Sequence, residues 1–347
     1  MTSLSEFVSL VCNNPLLALT LALVGASMFV NGSTDAANSI AEAVGTRSIT
    51  FRNAVILAVI CDFTGLVGAT LISTAVADTI SGMVDFGGDS HAALVALAAA
   101  MVGIVAWGGI AWMFGIPTSE SHALIAGLSG AAIAVSGGIE GINMAEWAKV
   151  LYGLAFSTVM GFALGWVSTK AIREICAFSD NRVMNRVFGR VQVVGAGFGA
   201  LMHGAQDGQK FMSAAMLAVS LATGTGKPEG YPLWMMVACA AIMSTGTAVG
   251  GKKIVKTVGS QMVPMEKYQG AAASISAGIS LLLSSFGGMP VSTTHTKTAA
   301  IMGAGAAKSV RSVNWAIAGD MVMTWLLTFP GCGLIGYILA WVFLRIF

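Results

Sequence analysis

The sequence predicts an all-α polytopic membrane protein made of two inverted-topology repeats of about five crossings each, with broken or re-entrant helices at the midplane. Three observations predict it. Hydrophobic residues make up 56% of the 347 positions and charged residues 10%, with a mean hydropathy of +0.80, whereas a soluble domain carries roughly 25% charged residues. Two polar motifs recur half a chain apart. Loops at matched positions of the two halves carry opposite charge.

The apolar runs justify the crossings. Stretches near the ~20 residues that span a bilayer fall at 15–30, 51–73, 92–114, 122–137 and 147–168. They recur at 191–202, 233–251, 271–286, 298–307 and 315–347. Several are too short or too rich in glycine for simple spans. Many of the 43 glycines lie inside these runs, as close helix approach in lipid requires. The first run has no basic segment before it and no convincing cleavage site after it, so it is expected to be a retained span. The repeats are read as 1–172 and 193–347, joined by a basic cytoplasmic linker over 173–192.

Charge sets the orientation. Between Ala75 and His91 lie Asp78, Asp85 and Asp89 with no Lys or Arg, while the counterpart segment holds Lys252, Lys253, Lys256 and Lys267. Glu140 and Glu146 of one half are matched by Lys308 and Arg311 of the other. Lys and Arg stay in the cytoplasm, so matched loops of opposite character lie on opposite sides and each repeat crosses an odd number of times. The most basic loop, with Arg173, Arg182, Arg186 and Arg190, is then inside, and both termini lie outside the plasma (inner) membrane. A net charge of +2 gives no reason to expect a nucleic-acid partner. The five cysteines are scattered without a CxxC pair. They read as small buried hydrophobes, supporting neither a disulfide framework nor a metal site.

The motifs carry the chemistry. Gly32-Ser-Thr-Asp35-Ala-Ala-Asn38 is echoed by Gly204-Ala-Gln-Asp207-Gly-Gln-Lys210. Carboxylates set in apolar runs mark a substrate or ion pathway by default. Gly32 and Gly204 are expected to let the backbone leave helical geometry and free carbonyls. Asp35, Asn38, Gln206 and Asp207 then supply hard oxygen ligands of the kind that suits Na⁺, Asp35 and Asp207 being the metal-ion ligands if sodium is the coupling ion. The plain alternative is that both aspartates cap helices.

The second motif, Gly115-Ile-Pro117-Thr-Ser119-Glu-Ser121-His122, returns as Gly288-Met-Pro290-Val-Ser292-Thr-Thr294-His295. Pro117 and Pro290 are expected to break the preceding helix. Thr118, Ser119, Ser121, Ser292, Thr293 and Thr294 then sit beside the unsatisfied N–H groups of two helix starts, a ready anion site. Ordinary Ser/Thr capping is the bland reading of either copy alone. Glu120 interrupts the first cluster and belongs with the cation ligands unless it points away. Lys210 either neutralises Asp207 or reaches the anion. His122 and His295 are satisfied ring donors or, by their matched positions, proton carriers. Asp62 and Asp320 have no repeated partner and rank below these residues.

A dianion beside Asp35, Asp207 and Glu120 in low dielectric is repelled unless cations or protons enter with it. Coupled symport is therefore the expected mechanism, on a chain expected to be a secondary transporter and not an enzyme. An intramembrane phosphatase would need a nucleophile or metal and cationic clamps, and no Arg lies in or near the motifs. A passive anion channel would be lined by positive charge.

At these residues the chain resembles the inorganic phosphate transporter (PiT) family, bacterial branch. Its halves each carry a Gly-Ala-Asn-Asp-type motif and a Pro-x-Ser-Thr-x-His-type segment. Thr34 and Gln206 stand where many members have Asn. The resemblance spans the whole chain and implies uptake of inorganic phosphate driven by Na⁺ or H⁺, with no other cofactor. A sulfate permease of the same fold is the alternative. Membrane lipid, a homo-oligomer and a PhoU-like cytoplasmic partner are further implications of the resemblance.

Overall fold

The computed structural model describes residues 3–87, 89–114, 118–225, 228 and 230–347, and all the named elements are helices. In chain order they are α1 (Leu4–Asn13), α2 (Pro15–Gly45), α3 (Phe51–Ile72), α4 (Ala75–Gly82), α5 (Ser90–Phe114), α6 (Glu120–Ser136) and α7 (Met144–Ile175). The second half continues with α8 (Asn181–His203), α9 (Gln209–Thr223), α10 (Leu233–Val249), α11 (Lys252–Lys256), α12 (Lys267–Phe286), α13 (Thr293–Lys308) and α14 (Trp315–Ile346). A π-helical turn over Gly204–Gly208 joins α8 to α9.

Local chemistry sets these boundaries. Asn14 caps α2, its Oδ1 accepting from the Leu17 N–H at 3.0 Å, with Pro15 in the first turn where its missing donor is harmless. Asn143 and Asn314 cap the two 32-residue helices α7 and α14. Most of the expected linker is helical, because α7 runs to Ile175 and Asp180 caps α8 immediately afterwards.

Among the described residues, six helices are long and apolar enough to cross a membrane, or seven if α10 and Lys252–Met262, bent by 61°, count as one span. This is fewer than the ten apolar runs: α8, at 23 residues, is long enough but not apolar enough, and α6 and α13 are too short. With 17 and 16 residues, α6 and α13 reach roughly 25 Å at 1.5 Å per residue, short of a ~30 Å core. Both fall a few ångströms short of a full span.

Two expected breaks fall elsewhere. Helix α2 passes unbroken through Gly32 and Asp35, so its carbonyls stay in the helical ladder. Gly32 serves packing instead: a Cβ there would lie 2.1 Å from the Met243 carbonyl oxygen on α10. Helix α12 ends at Phe286, four residues before Pro290, where Gly288 turns the chain at φ +62°, a conformation natural only for glycine. Pro117 lies outside the described residues.

The halves pack reciprocally. Helix α14 lies on α6 as α13 lies on α7, and α10 lies on α2 as α3 lies on α8. The close approaches repeat in detail. A Cβ on Gly204 would meet the Asp62 carbonyl oxygen of α3 at 2.1 Å, the counterpart of the Gly32 contact. Gly130 would meet the Gly333 carbonyl at 2.0 Å, and Gly303 the Phe162 carbonyl at 2.1 Å. Paired contacts of this kind thus recur between the two halves. Each half therefore completes the other.

Candidate functional site

Four polar helix segments meet in the interior. They are the middle of α2, the π turn with the start of α9, and the first turns of α6 and α13. Neither motif aspartate caps a helix: Asp35 is the twenty-first residue of α2, and Asp207 sits within the π turn. Ser119 and Ser292 are the caps, accepting from the His122 N–H at 3.3 Å and the His295 N–H at 3.2 Å. That use satisfies one N–H of each helix, and other N–H groups of the first turn have no partner within the helix.

Asp207 is the most heavily bonded group. Its Oδ1 accepts from Ser121 Oγ at 3.0 Å and from Lys210 Nζ at 2.7 Å. Its Oδ2 accepts from Thr293 Oγ1 at 2.9 Å and Asn31 Nδ2 at 3.3 Å, and His203 Nε2 lies 3.4 Å away. Lys210, fully buried, also donates to Ser121 Oγ at 2.8 Å and to the Val291 carbonyl. An ammonium has three donors, and all three are taken by protein, which leaves none for an anion.

Asp35 is different. Asn31 Nδ2 donates to its Oδ2 at 3.3 Å, while Oδ1 is buried without a partner. Asn31, Asp35 and Asn38 share one face of α2, and the amide oxygens of both asparagines are also buried and unpartnered. Asn38 Nδ2 donates to Thr294 Oγ1 at 3.0 Å. Glu120 is fully buried. Thr118 donates to its Oε1 at 3.3 Å, and its Oε2 has no partner. Its carboxylate lies against Gly108 of α5, where a Cβ would come within 2.5 Å of Oε1.

Most predicted site residues thus converge, but Gln206 does not join the carboxylates. Its Nε2 donates to Ser285 Oγ at 2.8 Å and the Met289 carbonyl at 3.3 Å, while its Oε1 accepts from the Val291 N–H. It fastens the loop between α12 and α13. The rings of His122 and His295 meet edge-on with centroids 4.2 Å apart, His122 beside Phe329 and His295 stacked on Trp325 at 3.8 Å.

Sequence reasoning gave no role to Asn31, His203 or Lys297, and it ranked Asp62 low. Asp62 accepts from Thr247 at 2.6 Å and faces His203 Nδ1 at 2.8 Å, so His203 stands between Asp62 and Asp207. Lys297 pairs with Glu42 at 2.5 Å in the interior. An aspartate inside an apolar run, and a histidine opening a motif, were the available signals. Among the described residues no cluster of three or more His, Cys, Asp or Glu side chains has metal-site geometry. The free oxygens at Asp35 are a mixed amide and carboxylate set.

Two cavities of opposite charge character lie along the α8–α9 path. One of about 460 Å³ is lined by Asp85, Glu140, Leu217 and Leu221, and one of about 320 Å³ by Arg186, Arg190 and Lys267. Arg186 and Leu221 lie near opposite ends of the α8–α9 path, separated by roughly 50 Å of helix.

A family profile described as "Phosphate transporter family" matches residues 31–336. A "Probable low-affinity inorganic phosphate transporter" of Bacillus subtilis (strain 168) is 34% identical over 335 residues, covering 96% of this chain and 99% of that protein. A protein of the same name from Rhizobium meliloti (strain 1021) is 34% identical over 322 residues, 92% and 94% of the two chains. Among solved structures, "The sodium-dependent phosphate transporter" superposes with a TM-score of 0.85 at 22% identity, over 96% of this chain and 100% of the other. At that identity the likeness shows a shared fold.

Proposed function

The chain belongs to the phosphate transporter family, and from that premise we propose that it is a cation-coupled inorganic phosphate symporter of the plasma membrane. Its relatives are transporters and not enzymes, and their names do not favour the sulfate alternative. The observation that carries the coupling is the buried oxygen set on α2. Asp35 Oδ1, Asn31 Oδ1 and Asn38 Oδ1 are acceptors without donors, a costly arrangement that a cation or proton would satisfy.

The anion site in this reading lies between the first turns of α6 and α13. Thr118, Ser119, Ser292, Thr293 and Thr294 border it, and two helix N-termini turn their positive ends toward one tetrahedral oxyanion. Ser121 lies at its edge and is committed to the Lys210–Asp207 pair. A cation at Asp35 offsets the repulsion that Asp35 and Glu120 exert on phosphate. Sodium suits the oxygen set, as it does the name of the structural neighbour.

The repeats are read as inverted, with the two-fold axis in the membrane plane. Supporting this, acidic and basic cavities lie at opposite ends of the α8–α9 path, as expected if the basic end is cytoplasmic. Both termini are then outside. Alternating access comes from motion of the paired motif units against the remaining helices. A homo-oligomer and a PhoU-like partner remain implications of the family.

The test is uptake of radiolabelled phosphate into proteoliposomes, with Na⁺ and proton gradients imposed separately and unlabelled sulfate as competitor. Uptake driven by one gradient and resistant to sulfate is expected. Uptake indifferent to both gradients would overturn the symport reading.

A further inference from the structure

Read as a two-fold repeat, the two halves of the site can be compared residue by residue, and they differ in charge. Asp35 matches Asp207, and Asn31 matches His203, each four residues before its aspartate. Asn38 matches Lys210, each three residues after it. The partners match as well: Asn38 reaches Thr294 at 3.0 Å on α13, and Lys210 reaches Ser121 at 2.8 Å at the equivalent place on α6. The same contact is made by a neutral amide in one half and by an ammonium in the other.

Resting on the symport reading above, we infer that Lys210 is a permanent internal cation occupying, in the second half, the position that a mobile coupling cation takes in the first. One transported cation, held at Asp35, therefore accompanies each phosphate at this pair of sites. Three observations carry this. Both oxygens of Asp207 are filled by protein donors, including the ammonium at 2.7 Å, whereas Oδ1 of Asp35 has none. Lys210 spends its three donors on Asp207, Ser121 and Val291, so it is held as a fixed charge rather than offered to the anion. Asn38, which donates its amide N–H to Thr294, keeps its Oδ1 free beside the empty acceptor of Asp35.

The charge consequence is definite. A fixed ammonium moves out and back with the protein, so its contribution cancels over a full cycle, and only ions that dissociate count. Removing Lys210 takes away the ammonium paired with Asp207 at 2.7 Å, which favours a cation from solution in its place.

The experiment compares wild-type protein with Lys210→Asn, the residue the first half carries, in proteoliposomes. Current and radiolabelled phosphate uptake are recorded in parallel at one pH, with Na⁺ and then H⁺ as the driving ion. Lys210→Asn is expected to move one more positive charge per phosphate than wild type, with a steeper dependence on cation concentration. An active variant with an unchanged ratio would overturn the inference. If Lys210→Asn does not transport, Asp35→Asn decides: Na⁺ added against choline stabilises purified wild-type protein to heat and should leave Asp35→Asn unchanged. Stabilisation retained in Asp35→Asn would place the mobile cation elsewhere and overturn the inference. A wild-type protein driven by neither gradient would instead sink the symport reading itself.

Discussion

His122 and His295, 173 positions apart in the chain, face each other edge to face with ring centroids 4.2 Å apart. Each follows a capping serine by three residues, so the pair lies where the two short helices α6 and α13 start. Phe329 and Trp325, both on α14, cover the rings. His122 Nδ1 and His295 Nε2 have no hydrogen-bond partner in the interior. Enclosed by aromatics, with one nitrogen of each ring unpartnered, the pair is expected to serve packing rather than proton relay. His122→Asn and His295→Asn are therefore expected to keep the driving ion of uptake unchanged while lowering stability. Uptake that stops responding to an imposed proton gradient in either variant would assign the pair to proton transfer.

Much of this centre is legible in the sequence because the duplication points to it. The aspartates, hydroxyls and histidines of the two motifs do meet. Other features depend on information that local pattern does not hold. Gly32 reads as a place where the backbone opens, yet its use is contact with Met243 on α10, a partner that only tertiary packing supplies. Gln206 reads as a ligand beside Asp207, but on a π turn its side chain swings to the loop at Met289. Asp62 has no copy in the second half, so the repeat gave it no weight, although it faces His203 directly.

The close approaches make a stability prediction with its own control. A methyl group on Gly32 or Gly204 would lie 2.1 Å from a backbone carbonyl oxygen of the neighbouring helix. Nothing lies within 4 Å of the matching point on Gly68. Gly32→Ala and Gly204→Ala should each cost about 1–3 kcal/mol or more through forced separation of helices. Gly68→Ala should be neutral or stabilising by up to about 1 kcal/mol. Thermal unfolding in detergent reads all three, and a tolerated Gly32→Ala would refute the contact with α10.

The caps separate anion from cation binding. Ser119→Ala and Ser292→Ala each remove a side-chain acceptor at a helix start, worth about 1 kcal/mol of stability, together with a hydroxyl facing the proposed anion. The half-saturating phosphate concentration is expected to rise several-fold in both. The half-saturating cation concentration, measured at saturating phosphate, should change less. The reverse order would exchange the roles assigned to the two motif types.

The last prediction uses the asymmetry of a second buried pair. Glu42 and Lys297 are joined at 2.5 Å between α2 and α13 and are almost wholly buried. The matched positions of the other half hold Ala214 and Leu124, both within one apolar cluster. The matched positions are thus charged in one half and apolar in the other. Removing one member leaves an uncompensated buried charge, at a cost of roughly 3–5 kcal/mol, whereas replacing both with apolar groups is often neutral or better. Glu42→Ala and Lys297→Leu alone should therefore unfold at clearly lower temperature than wild type, and the double variant, which copies the other half, should recover most of that loss. If the double variant is no more stable than the singles, the two-fold equivalence of these positions does not hold. If it is stable but transports poorly, the pair serves the transport cycle rather than the fold.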